Sequence, residues 1–243
     1  MNRVKILITV IICLLTVFCA TAQDILKELD DKNSKKDTKT YTIFSFEGKK
    51  SVIHMMPDYS GRLLKISYLK DTITISDYWG VPVKPLCLNK KFLEIRYEVR
   101  GGSNLGLGNT LILCVSDNKL YEALHVLRYS DWESDLVKKY NVDFSLNNLL
   151  LTATVREKVI SQTEPETNYH FYNKTILQFD RKLKVFYSIK DNVDDTLTVS
   201  YPSGESYKRD IQGTYPKLLL GSHEYLFIGG QWFEMYNSAL TKY

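Results

Sequence analysis

The sequence predicts an all-β protein, built of antiparallel meanders packed as a sandwich or barrel, with one short connecting helix near residues 130–140. Three observations carry that prediction. Leu93, Ile95, Tyr97 and Val99 alternate with Glu94, Arg96, Glu98 and Arg100, and side chains along a strand alternate faces. About a dozen short apolar-rich runs recur, separated by turn residues at the spacing of β-sandwiches and barrels. Seventeen tyrosines and ten phenylalanines suit a pleated surface, on which aromatic rings pack well.

The chain opens with Arg3 and Lys5, continues apolar over Ile6–Phe18 apart from Thr9 and Thr16, and reaches Ala20-Thr21-Ala22. A basic start, a short apolar run and small residues before a cut are the parts of a signal peptide, here cleaved after Ala22. About 13 apolar residues fall short of the roughly 20 that span a bilayer, so no transmembrane segment is expected after cleavage. Lipid attachment wants a small residue before its cysteine, whereas Phe18 precedes Cys19 and Ile12 precedes Cys13. Without residues 1–22 the chain keeps 30 basic and 28 acidic side chains, since only Arg3 and Lys5 are lost. That balance argues against nucleic acid, whose binders concentrate basic charge on one face.

Residues 23–40 are mixed in charge and poor in apolar side chains, which predicts a polar tether. Residues 41–243 are expected to form a single β-rich domain, with two packed halves (41–129 and 141–243) as the alternative. Strands are predicted at Tyr41–Glu47, Ser51–Met56, Leu63–Tyr68 and Thr72–Ser76, and then a loop whose Pro82 and Pro85 do not suit a central strand. The central meander runs Phe92–Arg100, a glycine-rich loop Gly101–Asn109, the apolar run Leu111–Val115, an Asp117-Asn118 turn and Lys119–Tyr129. Ser130–Tyr140 reads as the helix, capped by Ser130 or Asp131, with Trp132, Leu136, Val137 and Tyr140 on one face. Further strands are predicted at Leu149–Ile160, Tyr169–Asp180, Leu183–Ile189, Thr196–Tyr201, Tyr207–Gln212 and Lys217–Leu220. A final hairpin, Tyr225–Ile228 and Gln231–Tyr236, turns at Gly229-Gly230.

Little of this carries recognisable chemistry. Cys87 and Cys114 are expected as free thiols, because their strands place them far apart along the chain. Two cysteines without paired histidines make no zinc site, and His54, His125, His170 and His223 share no metal-binding spacing. The Gly101–Asn109 loop leads into a strand, so it lacks the helix N-terminus that a phosphate cradle uses. No Gly-x-Ser-x-Gly elbow occurs, and no catalytic residue, metal or cofactor is assigned.

The expectation is an exported bacterial binding module, periplasmic or extracellular, without catalysis and with a protein or glycan ligand. Its contact residues would be the aromatic pair Tyr78 and Trp79, together with Gly101, Gly102, Ser103 and Asn104. The alternative is a carboxylate-dependent hydrolase of a glycan or envelope polymer, with two of Asp58, Glu98, Glu122 and His125 converging in a cleft. A structural envelope component, marked by an exposed sheet edge, is a third expectation.

Overall fold

The computed structural model describes residues 37–60, 62–76, 78, 83–100, 105–134, 136–161, 163–201, 204–236 and 239–242. The expected export segment 1–22 falls outside them. The described residues confirm the all-β class: three antiparallel systems, with a single 3-10 turn at Pro165–Thr167.

The first sheet holds β1 (Lys39–Phe44), β2 (Lys50–Asp58), β3 (Leu63–Tyr68) and β4 (Asp71–Ile75) in chain order. The second holds eight strands, also in chain order. They are β5 (Val83–Leu88), β6 (Phe92–Arg100), β7 (Leu105–Ser116), β8 (Lys119–Trp132), β9 (Leu136–Asn147), β10 (Leu150–Ser161), β11 (Tyr169–Asp180) and β12 (Val185–Tyr187). The last five strands are β13 (Ile189–Ser200), β14 (Ser206–Leu220), β15 (His223–Ile228), β16 (Gln231–Tyr236) and β17 (Ala239–Thr241). They close into a barrel through a parallel pairing of β13 with β17. Asp117-Asn118 and Gly229-Gly230 both have positive φ, the conformation that two-residue hairpin turns require.

The eight-stranded sheet folds over on itself. β9 pairs with β8 only through Tyr129–Trp132, and past that corner the two halves lie face to face. Phe92, Ile112, Leu124 and Val126 of one half share a buried cluster with Val142, Phe144, Val155 and Phe186 of the other. The Phe92 ring centroid lies 5.1 Å from that of Phe186 and 5.3 Å from that of Phe179. On the opposite face, Leu93, Ile95, Leu111 and Leu113 pack against Ile43, Ile53, Leu64 and Ile66 of the four-stranded sheet. The middle layer is therefore covered on both sides, which is why Leu111–Val115 is apolar at every position.

The barrel has its own core, including Leu197, Ile211, Leu226, Phe233 and Leu240. Tyr225, Phe227 and Trp232 alternate outward from it and join the first cluster, so β15 is also buried on both faces. A backbone contact fixes this docking. Ser222 N–H donates to Glu157 Oε1 of β10 at 2.6 Å, and a Cβ on the neighbouring Gly221 (φ +66) would overlap that oxygen.

β8 carries two bulges. Its register against β7 shifts between Ile112 and Leu113 and between Gly108 and Asn109, leaving Ala123 and Arg128 without opposite residues. Beside the second bulge, Leu127 N–H donates to the Tyr225 hydroxyl at 3.2 Å, so a barrel side chain satisfies a donor in the middle layer.

The helix expected near 130–140 is absent: β8 continues through Trp132 and β9 begins at Leu136. Of the four residues on the supposed helical face, only Tyr140 is buried, and Trp132 is 42% exposed. The pattern that prevails is the period-two run Tyr140, Val142, Phe144, Leu146, three of which enter the core and the fourth packs against it. Two more departures share a cause. Residues 190–195 are polar apart from Val193 and yet form β13, because most of their side chains face solvent while Val193 packs against the barrel core. β14 runs unbroken through Pro216, where β15 no longer pairs with it and no neighbour needs a proline N–H. β1 begins at Lys39, two residues inside the segment expected as a tether.

Replacing Tyr225 by Phe keeps the ring and strands the Leu127 N–H in the core. A loss of about 1–3 kcal/mol is expected in chemical denaturation. An unchanged midpoint would mean that the bulge donor is satisfied without this hydroxyl.

Candidate functional site: a groove where the three layers meet

The three layers leave a groove of about 500 Å³ between them. Thr72 and Thr74 of β4 form one wall, and Tyr121 and Glu122 of β8 lie across from them. The Gly229-Gly230 turn, Gln231 and Phe227 bring in the barrel, and Lys182 and Lys242 add positive charge. The lining is thus mainly polar, with the rings of Tyr121 and Phe227 beside it.

Behind the groove lies a buried polar array. Asn109 Nδ2 donates to the Tyr97 hydroxyl at 3.1 Å, and that hydroxyl meets His125 Nε2 at 2.6 Å. Burial pushes the Tyr97 phenol far above its ordinary value, so it stays protonated and donates to Nε2. His125 Nδ1 then carries the ring proton and points it at Glu122 Oε2, 3.4 Å away. Glu122 Oε1 stands 4.0 Å from Lys242 Nζ. Burial raises the Glu122 carboxyl, but His125 and Lys242 outweigh it and hold the group below its ordinary range. The Lys242 ammonium is pushed down by burial, against the pull of Glu122.

The first bulge makes this array possible. Residues three apart on a regular strand face opposite sides, and the extra residue Ala123 returns Glu122 and His125 to one side. Of the four side chains expected for a hydrolase, those two converge, whereas the others stand apart. Asp58 accepts from Ser60 Oγ at the end of β2, and Glu98 accepts from the Tyr129 hydroxyl with Arg128 nearby.

The sequence-predicted contact residues fare differently. Trp79, Gly101, Gly102, Ser103 and Asn104 lie outside the described residues. Tyr78 is a core residue, 2% exposed, with its ring centroid 6.4 Å from that of Tyr59. It is therefore no surface platform: its bridge to Val99 turns it inward over the four-stranded sheet. Part of the supposed Gly101–Asn109 loop is strand, because β7 begins at Leu105. Gly106 and Gly108 sit in that strand to admit the Tyr129 ring, which lies across them from β8; a Cβ at Gly108 would overlap it.

This longer pairing also corrects the cysteine register. Cys114 lies opposite Phe92 and Cys87 pairs with its neighbour Leu93, so the two are only two strands apart but on opposite faces, instead of far apart along the chain. Both thiols are free, as expected, with Cys87 exposed and Cys114 buried. Among the described residues, no group of three or more His, Cys, Asp or Glu could hold a metal ion.

Gly108→Ala should cost about 1–3 kcal/mol by forcing the Tyr129 ring aside. Combined with Tyr129→Ala the two losses should fall well short of additive, as read by a double-mutant cycle in urea. Full additivity would separate the glycine from the ring.

Glu122 gives a pH signature. Its folded pKa lies below its unfolded value of roughly 4.3, so its contribution is present above that pH and is lost as pH falls through the folded pKa. Glu122→Gln should remove about 2 kcal/mol at pH 7 and flatten the stability curve below about pH 4. Parallel acid limbs for the two proteins would count against the ion pair.

No protein-family description, curated protein or solved structure matches this chain.

Proposed function

We propose that this protein is an exported, non-catalytic binding module that holds a polyhydroxylated ligand of glycan type in the groove between its layers. The carrying observation is the lining: Thr72, Thr74, Glu122, Gln231, Lys182 and Lys242 offer donors and acceptors around Tyr121 and Phe227. Sugars present hydroxyls at their rims and C–H groups on their faces, and they are held by such polar groups beside an aromatic ring. The basic start, apolar run and Ala20-Thr21-Ala22 support delivery outside the cytoplasm.

The convergence of Glu122 with His125 favours a second reading, the carboxylate-dependent hydrolase. The first is preferred because His125 is 4% exposed, its Nε2 is taken by Tyr97 and its Nδ1 faces Glu122, so neither nitrogen is turned to the groove as a base for a substrate.

The test is retention of the protein on immobilised neutral and acidic polysaccharides. Tyr121→Ala and Gln231→Ala are run beside the parent after a check of fold by circular dichroism. Binding should weaken about tenfold on loss of the ring. Retention that survives both substitutions would remove the groove from the account. Release of new reducing ends by the parent, abolished by Glu122→Gln, would replace binding with hydrolysis.

A further inference from the structure

Among the described residues, β11 leaves a long stretch of backbone without a neighbour. On one side it pairs with β10 from Tyr169 to Gln178, but on the other it meets β12 only at Gln178–Asp180. The edge from Tyr169 to Leu177 is therefore open among the described residues. Natural edge strands are usually blunted by proline, a bulge, several charges or a covering element. This one has no proline, pairs with β10 without a register shift, and carries Lys174 as its only lysine. Tyr169, Phe171, Tyr172 and Ile176 are exposed on it, Tyr172 and Ile176 to 61%.

The direction of the open hydrogen-bonding groups follows from a turn two strands away. Asn148 and Leu149 form a two-residue turn between Asn147 and Leu150, which makes those two a hydrogen-bonded pair. Hence Leu150 and every second residue after it bond towards β9, and Leu151, Ala153, Val155, Glu157 and Val159 bond towards β11. Their partners are the odd-numbered residues Tyr169 to Leu177. The even-numbered residues His170, Tyr172, Lys174 and Ile176 therefore turn N–H and C=O outward. Asp180 fits this alternation, since its carbonyl accepts from Lys184 N–H on that side.

We propose that a second copy of this chain occupies this edge, so that two β11 strands pair antiparallel about a two-fold axis at Asn173. In that register Tyr172 faces Lys174 of the other copy, and His170 faces Ile176. Each exposed apolar side chain gains a partner and no like charges oppose each other. A shift of two in one direction sets Lys174 against Lys174 and runs into β12, and the opposite shift leaves fewer residues paired. The span is bounded by β12 at Gln178 and by the 3-10 turn at Pro165–Thr167, so one antiparallel copy fits between them. A two-fold interface of this kind closes on itself, which prevents the edge from propagating into fibres.

The test uses the chain from Gln23 to Tyr243, without the leader and its Cys13 and Cys19, at rising concentration in sedimentation-velocity experiments. The parent should pass from monomer to dimer. Tyr172→Lys sets two lysines opposite each other in both symmetric pairs and should weaken self-association about tenfold. Adding Lys174→Glu should restore the dimer. Asn173→Cys in a Cys87→Ala background gives a covalent dimer under mild oxidation, because non-hydrogen-bonded residues on facing strands bring Cα atoms within about 4.5 Å. A parent that stays monomeric throughout, or a dimer unaffected by Tyr172→Lys and not cross-linked through Asn173→Cys, overturns the proposal.

Discussion

Every layer of this protein depends on the burial of β8 from both sides. The strand is bonded to β7 along most of its length and to β9 at its end, and it touches β3, β4, β12 and β16 across the layers. Ala123, Leu124 and Val126 face the cluster shared with the folded-over half and the barrel, and His125 turns to the side covered by the four-stranded sheet. A strand wanted on both faces cannot be a plain alternation of apolar and polar residues. The bulges at Ala123 and Arg128 supply the two changes of phase, and beside the second the Leu127 N–H is met by a hydroxyl from the barrel.

This explains why polar chemistry sits so deep. A histidine and a carboxylate inside a β core are costly unless each has a partner. Tyr97, Asn109 and Lys242 provide those partners from three separate segments of the chain. The array thus ties β6, β7, β8 and the segment after β17 to one geometry, and Glu122 and Lys242 are the members that also line the groove. Conformational specificity and ligand contact are both loaded on this one pair of charges.

Local periodicity made the fold class legible. The alternation in Phe92–Arg100, the apolar run Leu111–Val115 and the Asn118 and Gly229-Gly230 turns each correspond to the element that stands there. What misled was compensation from a distance. The spacing of Trp132, Leu136 and Val137 suggests a helix only while the continuation Val142, Phe144, Leu146 is left out of the window. Gly106 and Gly108 suggest a loop because the reason for them, Tyr129, lies on the next strand. The groove was hidden for the same reason. Its residues come from β4, β8, the β11–β12 turn, the β15–β16 turn and Lys242, and nothing in the spacing announces that they meet. Glu122 and His125 were visible as neighbours, but without the bulge their parity sends them to opposite faces.

The parallel pairing in the barrel implies an order in time. Neighbouring antiparallel strands joined by two-residue turns close within microseconds, because little chain has to be gathered. β17 instead joins residues 239–241 to residues 198–200, across all of β14, β15 and β16. That step waits until the intervening hairpins exist. Lys242 follows β17 directly and stands beside Glu122 only after the barrel has shut. Until then the carboxylate lacks its ammonium neighbour, so the groove and the barrel mature in the same late event.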